Sequence, residues 1–156
     1  MFLLGVDPGL RITGWGVIEV KGNKLFGIAS GVIKTNNNDN ISSRLNDIYE
    51  NMLNCISIYK PSECAIEETF VNKNPNSALK LGHARAAAML SIAQSSLEVS
   101  EYAPNKVKKA VVGVGHADKN QIKSMIQLLL SGIKVNTSDE ADALAVAICH
   151  AHHRNS

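Results

Sequence analysis

Four acidic positions in this chain have surroundings that a solvated surface charge would not need. Asp7 ends the apolar run LLGVD and is followed at once by Pro8-Gly9. A strand that needed only a turn could use Asn or Ser. An aspartate there puts a charge at a strand's carboxyl end, where sheets flanked by helices keep their ligand sites. Glu67 and Glu68 end ECAIEE, and because consecutive strand residues face opposite ways, one of them can face a site. Asp139 and Asp142 in SDEADALA are three apart and share a helix face. Thr137 and Glu140 have the spacing of a capping box, which gives Glu140 a structural task. Asp139 by itself is also a favourable first-turn residue beside the helix dipole. Asp142 lies among Ala141, Ala143, Leu144 and Ala145, and a carboxylate in such close packing requires a cation or several donors.

If these carboxylates converge, they repel one another and also repel phosphate. Divalent cations remove both difficulties, and hard oxygen donors suit Mg²⁺, with Mn²⁺ as a substitute. Two ions roughly 4 Å apart can activate a water and stabilise the leaving oxygen in phosphodiester hydrolysis. Nucleophilic cysteine, Ser-His-Asp and Walker-loop chemistry have no comparable support, since GVGHADK lacks the GK[ST] of a phosphate loop.

The elements that must position these acids are legible in outline. Phe2–Asp7, Gly14–Val20 and Leu25–Lys34 read as strands, the last two joined by a hairpin signal. Ile41, Leu45, Ile48, Met52 and Ile56 recur at helical spacing up to Pro61. Glu63–Glu68 predicts a fourth strand, and Ser77 to about Leu97 an Ala- and Leu-rich helix. Val99–Tyr102 predicts a fifth strand, followed by helices over Pro104–Val111, Lys119–Leu130 and from about Ser138. Hairpin-linked strands followed by βα units imply an α/β fold, a mixed five-stranded sheet flanked by helices. Gly14 and Gly16, either side of Trp15, suit close strand packing or a bulge better than phosphate binding.

At 156 residues the chain is read as one domain, residues 1–156, with about 151–156 expected to fray. No apolar run approaches the roughly 20 residues that span a bilayer. The start lacks a signal-peptide pattern and the three cysteines show no paired spacing, so a cytoplasmic location is expected. The net charge of +2 is unevenly distributed: residues 72–134 balance to +6 and the remainder to −4. Lys73, Lys80, Arg85, Lys106, Lys108, Lys109, Lys119, Lys123 and Lys134 supply the positive block. Such a block draws a polyanion toward a carboxylate centre, unless its residues are simply solvated helix faces.

In order, GVDPGLRITGWG, AIEETF, NSALKLGHARAAA, VKKAVVGVGHADKNQI and SDEADALAVA resemble the RuvC-type Holliday-junction resolvases over nearly the whole chain. The resemblance implies an RNase H-like fold and a homodimer that holds four-way junction DNA. It implies Mg²⁺-dependent nicking of two strands of like polarity, in recombination and repair, with a branch-migration motor as partner. It carries the acidic metal ligands onto Asp7, Glu67, Asp139 and Asp142, and two basic residues onto Lys108 and Lys119; Glu68 is left out. Lysines suit a centre where negative charge gathers in the transition state. Phe70 falls where the family places an aromatic at the junction centre, and a ring there could stack on an unpaired base. Asn72, Lys73, Lys80, Arg85, Lys106, Lys109 and Lys123 are the further candidate DNA contacts.

His150, His152 and His153 could be mistaken for metal ligands, but they end the last helix, where cations suit the dipole and the chain is expected to fray. The competing functions are an RNase H-like nuclease acting on RNA and a junction-binding protein without catalysis. An actin-like ATPase would need a second phosphate loop and a second lobe, for which the chain has no room.

Overall fold

The computed structural model describes residues 1–68, 74–113 and 118–155. Five strands are described: β1 (Phe2–Asp7), β2 (Ile12–Lys21), β3 (Lys24–Lys34), β4 (Glu63–Glu67) and β5 (Val99–Tyr102). The helices are α1 (Ile41–Tyr59), α2 (Pro75–Gln94), α3 (Pro104–Val112), α4 (Lys119–Leu129) and α5 (Ser138–His153). The sheet order is β3-β2-β1-β4-β5, with β1–β2 and β2–β3 antiparallel and β1–β4 and β4–β5 parallel.

Alternation along β1 divides the core. Leu4 and Val6 join Val17, Cys64 and Ile66 under α1 and α2, while Leu3, Ile18 and Ala65 lie under α3, α4 and α5. Asp7 shares the second face with Leu3 and Gly5 because strand side chains alternate with period two. A register shift after Val17 leaves Ile28 as an extra residue on β3, the mark of a β-bulge, and it is exposed.

Local chemistry sets the helix limits. Asn74 accepts hydrogen bonds from the Asn76 and Ser77 amides and Pro75 opens the helix, so α2 begins two residues before the expected Ser77. It also closes earlier than Leu97, where Ser96 turns at φ +61° and the Leu97 amide bonds back to Ile92. In α1, Lys60 caps in the left-handed region and Pro61 follows. Asp118 and Gln121 cap α4 reciprocally. Among the described residues, no helix is long and apolar enough to cross a membrane.

The carboxyl end of the chain, where the sequence predicts fraying over about 151–156, carries specific contacts as far as Arg154. Helix α5 continues to His153, and His150 is only 4 % exposed. His150 Nδ1 lies 2.7 Å from the Tyr102 hydroxyl and its Nε2 lies 2.6 Å from the Glu63 carboxylate. Arg154 donates to both oxygens of Glu63, at 3.0 and 2.5 Å. A charged, bidentate clasp onto β4 opposes the fraying that a terminal histidine-rich segment would otherwise show.

Candidate active site

Asp7 and Glu67 are the last residues of adjacent parallel strands, each one step beyond the paired Val6 and Ile66. Neighbouring strands lie about 4.8 Å apart, so the two carboxylates leave the same sheet edge side by side. Helix α5 crosses this end of the strands with its N-terminal part, which contributes Asp139 from the first turn and Asp142 just beyond it.

Glycines allow the helix to lie so low. A Cβ on Gly5 would stand 2.2 Å from the Ala143 carbonyl oxygen, and one on Gly16 would stand 2.6 Å from Leu144 Cδ2. On Gly14, the cross-strand partner of Asp7, it would stand 2.2 Å from the Asp139 carbonyl oxygen. At Gly14 and Gly16, where the sequence predicts close strand packing or a bulge, the element that approaches is instead helix α5, and the bulge lies further along, after Val17.

Glu140 holds the turn from within. Its backbone N–H donates to Thr137 Oγ1 at 3.1 Å, and its carboxylate accepts from the Thr137 hydroxyl at 2.8 Å and from Ser30 at 2.9 Å. The capping pair expected from the sequence is present, but the carboxylate bonds side chains, one of them on β3. Buried and fully engaged, Glu140 leaves Asp139 and Asp142 as the half-exposed acids of this turn.

The electrostatics of the group are those of crowded, partly dehydrated anions. Burial first, and then Asp142, Glu67 and Asp139, push Asp7 up to about 8, with Lys119 opposing. Glu67 is raised by burial and by Asp142, and Lys108 opposes. Asp142 is raised by burial and by Asp139, against Lys119 and Lys108. Lys108 on α3 and Lys119 on α4 thus share one field with acids from β1, β4 and α5. A narrow crevice of about 40 Å³ between Glu67, Lys108 and Asp142 is walled by Val107, Val111 and Ile122.

Among the described residues, no three carboxylate, imidazole or thiol groups are drawn up as a cage ready to close on an ion. The fit to a divalent cation rests on the donors themselves. They are hard carboxylate oxygens, partly buried and held in mutual repulsion, which a cation of charge two relieves.

The other candidate contacts are placed unevenly. Lys80, Lys106 and Lys109 are exposed and Lys123 is half-buried. The Lys106 ammonium sits over the Tyr102 ring, 5.5 Å from its centroid. Arg85 is already engaged within the chain, donating to the Glu67 carbonyl and the Glu101 carboxylate. Phe70, Asn72 and Lys73 lie outside the described residues. Sequence reasoning missed Ser30 and the Tyr102–His150–Glu63–Arg154 group, whose partners are distant in the chain and carry no local signal.

Residues 3–150 match the family model described as "Crossover junction endodeoxyribonuclease RuvC". The protein of that name from Rhodospirillum rubrum is 54 % identical over 154 residues, covering 99 % of this chain and 91 % of its own. The Brucella anthropi protein of the same name is 52 % identical, covering 99 % and 90 %. Among solved structures, T. thermophilus RuvC in complex with Holliday junction substrate superposes with a TM-score of 0.91. It is 32 % identical, with 99 % of this chain and 94 % of that chain covered.

Proposed function

The chain belongs to the RuvC family of crossover junction endodeoxyribonucleases, and from that premise we propose that Asp7, Glu67, Asp139 and Asp142 form the centre of a Mg²⁺-dependent junction resolvase. The observation that carries this reading is the gathering of the acids, on the ends of β1 and β4 and on α5 at glycine distance. Asp7, Glu67 and Asp142 are each raised first by burial and then by other acids of the four, and the two opposing lysines are those the family resemblance selected.

In this reading the four carboxylates would hold two divalent ions per subunit. Such ions, when bound, supply water activation at neutral pH and neutralise charge on the phosphate. The protein's own part is to hold the acids on rigid strand ends and a docked helix turn. Lys108 and Lys119 balance charge that would otherwise repel the scissile strand and that grows in the transition state. Val107, Val111 and Ile122 exclude water from the crevice side, which strengthens each of these interactions.

The proposed substrate is a Holliday junction, cut by a homodimer through two symmetric nicks, since two equivalent strands suit two equivalent sites. Support for the dimer comes from α2, where Leu79 and Leu90 are exposed. An apolar groove of about 600 Å³ runs between Leu45 and Tyr49 of α1 and Ala86, Ala87 and Leu90 of α2. A branch-migration motor as partner and a cytoplasmic place of work belong to the same proposal.

A cleavage assay tests it: a synthetic immobile four-way junction and a linear duplex of matching sequence, with Mg²⁺ present or chelated, and products mapped by nucleotide. Paired symmetric nicks in the junction alone, lost on chelation, are expected. Cleavage of an RNA-containing substrate in place of the junction would transfer the acidic centre to a different nuclease. Binding without any cleavage would leave a junction-binding protein.

A further inference from the structure

Beyond the acidic centre, the same end of the sheet carries a second polar surface. The turn after β1 and the loop after β3 face each other across a concavity of about 460 Å³, lined by Arg11, Ile12, Lys34 and the Thr35–Asn38 stretch. Among the described residues no carboxylate lines it. Arg11 and Lys34 are exposed, and among the described residues no acidic side chain pairs with either.

The concavity is built rather than loose. The buried Thr35 hydroxyl donates to the Leu10 carbonyl at 2.5 Å, and the Thr35 amide donates to the Arg11 carbonyl at 3.2 Å. Arg44, from α1, donates to Thr35 Oγ1 at 2.9 Å and to Asn37 Oδ1 at 3.0 Å, which ties the loop to the helix. Gly9 and Thr13 close the opposite turn, with the Thr13 hydroxyl 2.7 Å from the Gly9 carbonyl.

Its position follows from the register. Ile12 pairs with Lys34, and two residues along β2, Gly14 pairs with Asp7. Two strand spacings across and two residues along place Lys34 roughly 12 Å from Asp7, measured between backbones. A nucleic-acid strand lying in the acidic centre would extend a few nucleotides to reach this shelf. Two unpaired cations and a row of amide side chains form the chemistry that binds phosphodiester oxygens without reading bases.

We infer that Arg11, Lys34 and the Thr35–Asn38 loop form a backbone-binding shelf for the DNA strand that leaves the acidic centre, on the side away from Lys108 and Lys119. This rests on the proposed junction cleavage. The shelf lies in the part of the chain whose summed charge is −4, so the block-wise charge count does not reveal it.

The test is the salt dependence of binding to an immobile four-way junction in EDTA, for the wild type, R11Q/K34Q and K21Q/K24Q. Lys21 and Lys24 flank the hairpin at the far end of β2 and β3, about 30 Å from the shelf. Both double variants lose the same charge from exposed positions, and thermal melting verifies that each is folded. For R11Q/K34Q, the slope of log K against log salt should become shallower by roughly 0.9 per lost contact. Affinity near 0.1 M salt should fall roughly tenfold per contact. K21Q/K24Q should keep the wild-type slope. Equal changes in the two variants, or none in R11Q/K34Q, overturn the shelf while leaving the enzyme reading in place. A wild type that fails to retain the junction overturns that reading, and the shelf with it.

Discussion

Gly14 stands opposite Asp7 across β1 and β2, and the Cβ it lacks would lie 2.2 Å from the carbonyl oxygen of Asp139. One missing methyl group therefore brings the first turn of α5 down onto the strand end that carries the first acid. Gly5 and Gly16, paired with each other in the same two strands, repeat the arrangement further along the helix. The acidic centre is a consequence of helix-on-sheet packing at glycine distance.

The relationship predicts the behaviour of Gly14→Ala. The contact is to backbone, which cannot swing aside, so α5 must lift or the strand must shift. Overpacking of this kind costs about 1–3 kcal/mol. The fall in melting temperature should come with a loss of junction cleavage larger than the stability loss accounts for, because Asp139 moves relative to Asp7. Melting and single-turnover cleavage on the same preparation check this; a stable, fully active variant would show that the close approach does not position the acids.

Asp7 predicts a conflict between stability and activity. Its folded pKa of about 8 lies above the ordinary 3.8, so the folded protein retains a proton that the unfolded chain has lost. In ion-free solution the unfolded state binds fewer protons across that window, and stability falls as pH rises from about 4 to about 8. Asp7→Asn removes the charge and should flatten this limb. At pH 8 it should melt higher than the wild type, by on the order of 5 °C, while the two converge near pH 4. Cleavage should disappear, and added Mg²⁺ should raise the melting temperature of the wild type more than that of the variant. Melting curves in EDTA and in Mg²⁺ at several pH values provide the measurement.

What was legible in the sequence beforehand has a physical pattern. Order and type of every element followed from local signals: periodicity in α1, the hairpin between β2 and β3, and Pro104 opening α3. Thr137 and Glu140 also announced themselves, since a capping box spans only four residues. Ser30, which completes the bonding of Glu140, lies 110 residues away on β3 and leaves no mark near the helix. The same distance concealed His150: a histidine-rich terminus reads as a solvated end until Glu63 and Tyr102, 87 and 48 residues earlier, are brought against it. Arg85 shows the converse. It lies in a basic block and reads as a surface cation, yet its guanidinium is occupied by the Glu67 carbonyl and Glu101.

Lys108 and Lys119 should separate by what each opposes. Lys119 lowers Asp7 and Asp142, whereas Lys108 lowers Glu67 and Asp142. Replacing either with Gln removes a positive charge from the centre and should slow the chemical step by about 10²–10³-fold. Binding should weaken far less, with a salt slope shallower by about 0.9 at most. Single-turnover rates at saturating protein isolate the step. If affinity fell in proportion to the rate, the lysine would be a backbone contact and nothing more.

Glu63 governs the acid side of stability. Arg154 foremost, with help from His150, holds its carboxyl down at about 2 against an ordinary 4.5. A lowered carboxylate contributes stability that is fully present above about pH 4.5 and is lost as the pH falls toward about 2. Glu63→Gln removes that contribution and leaves Arg154 without its bidentate partner, so α5 should loosen from β4 at its carboxyl end. Urea midpoints taken between pH 2 and pH 7 should show wild type and variant converging near pH 2, parting as the pH rises to about 4.5, and keeping a constant gap above it. Hydrogen exchange should locate the loss in the last turn of α5, with the amides of Glu140 and Ala141, which are bonded to Thr137 beside Asp139 and Asp142, still protected. A constant gap between the two curves at every pH would mean that Glu63 contributes through packing, with the ion pair adding nothing.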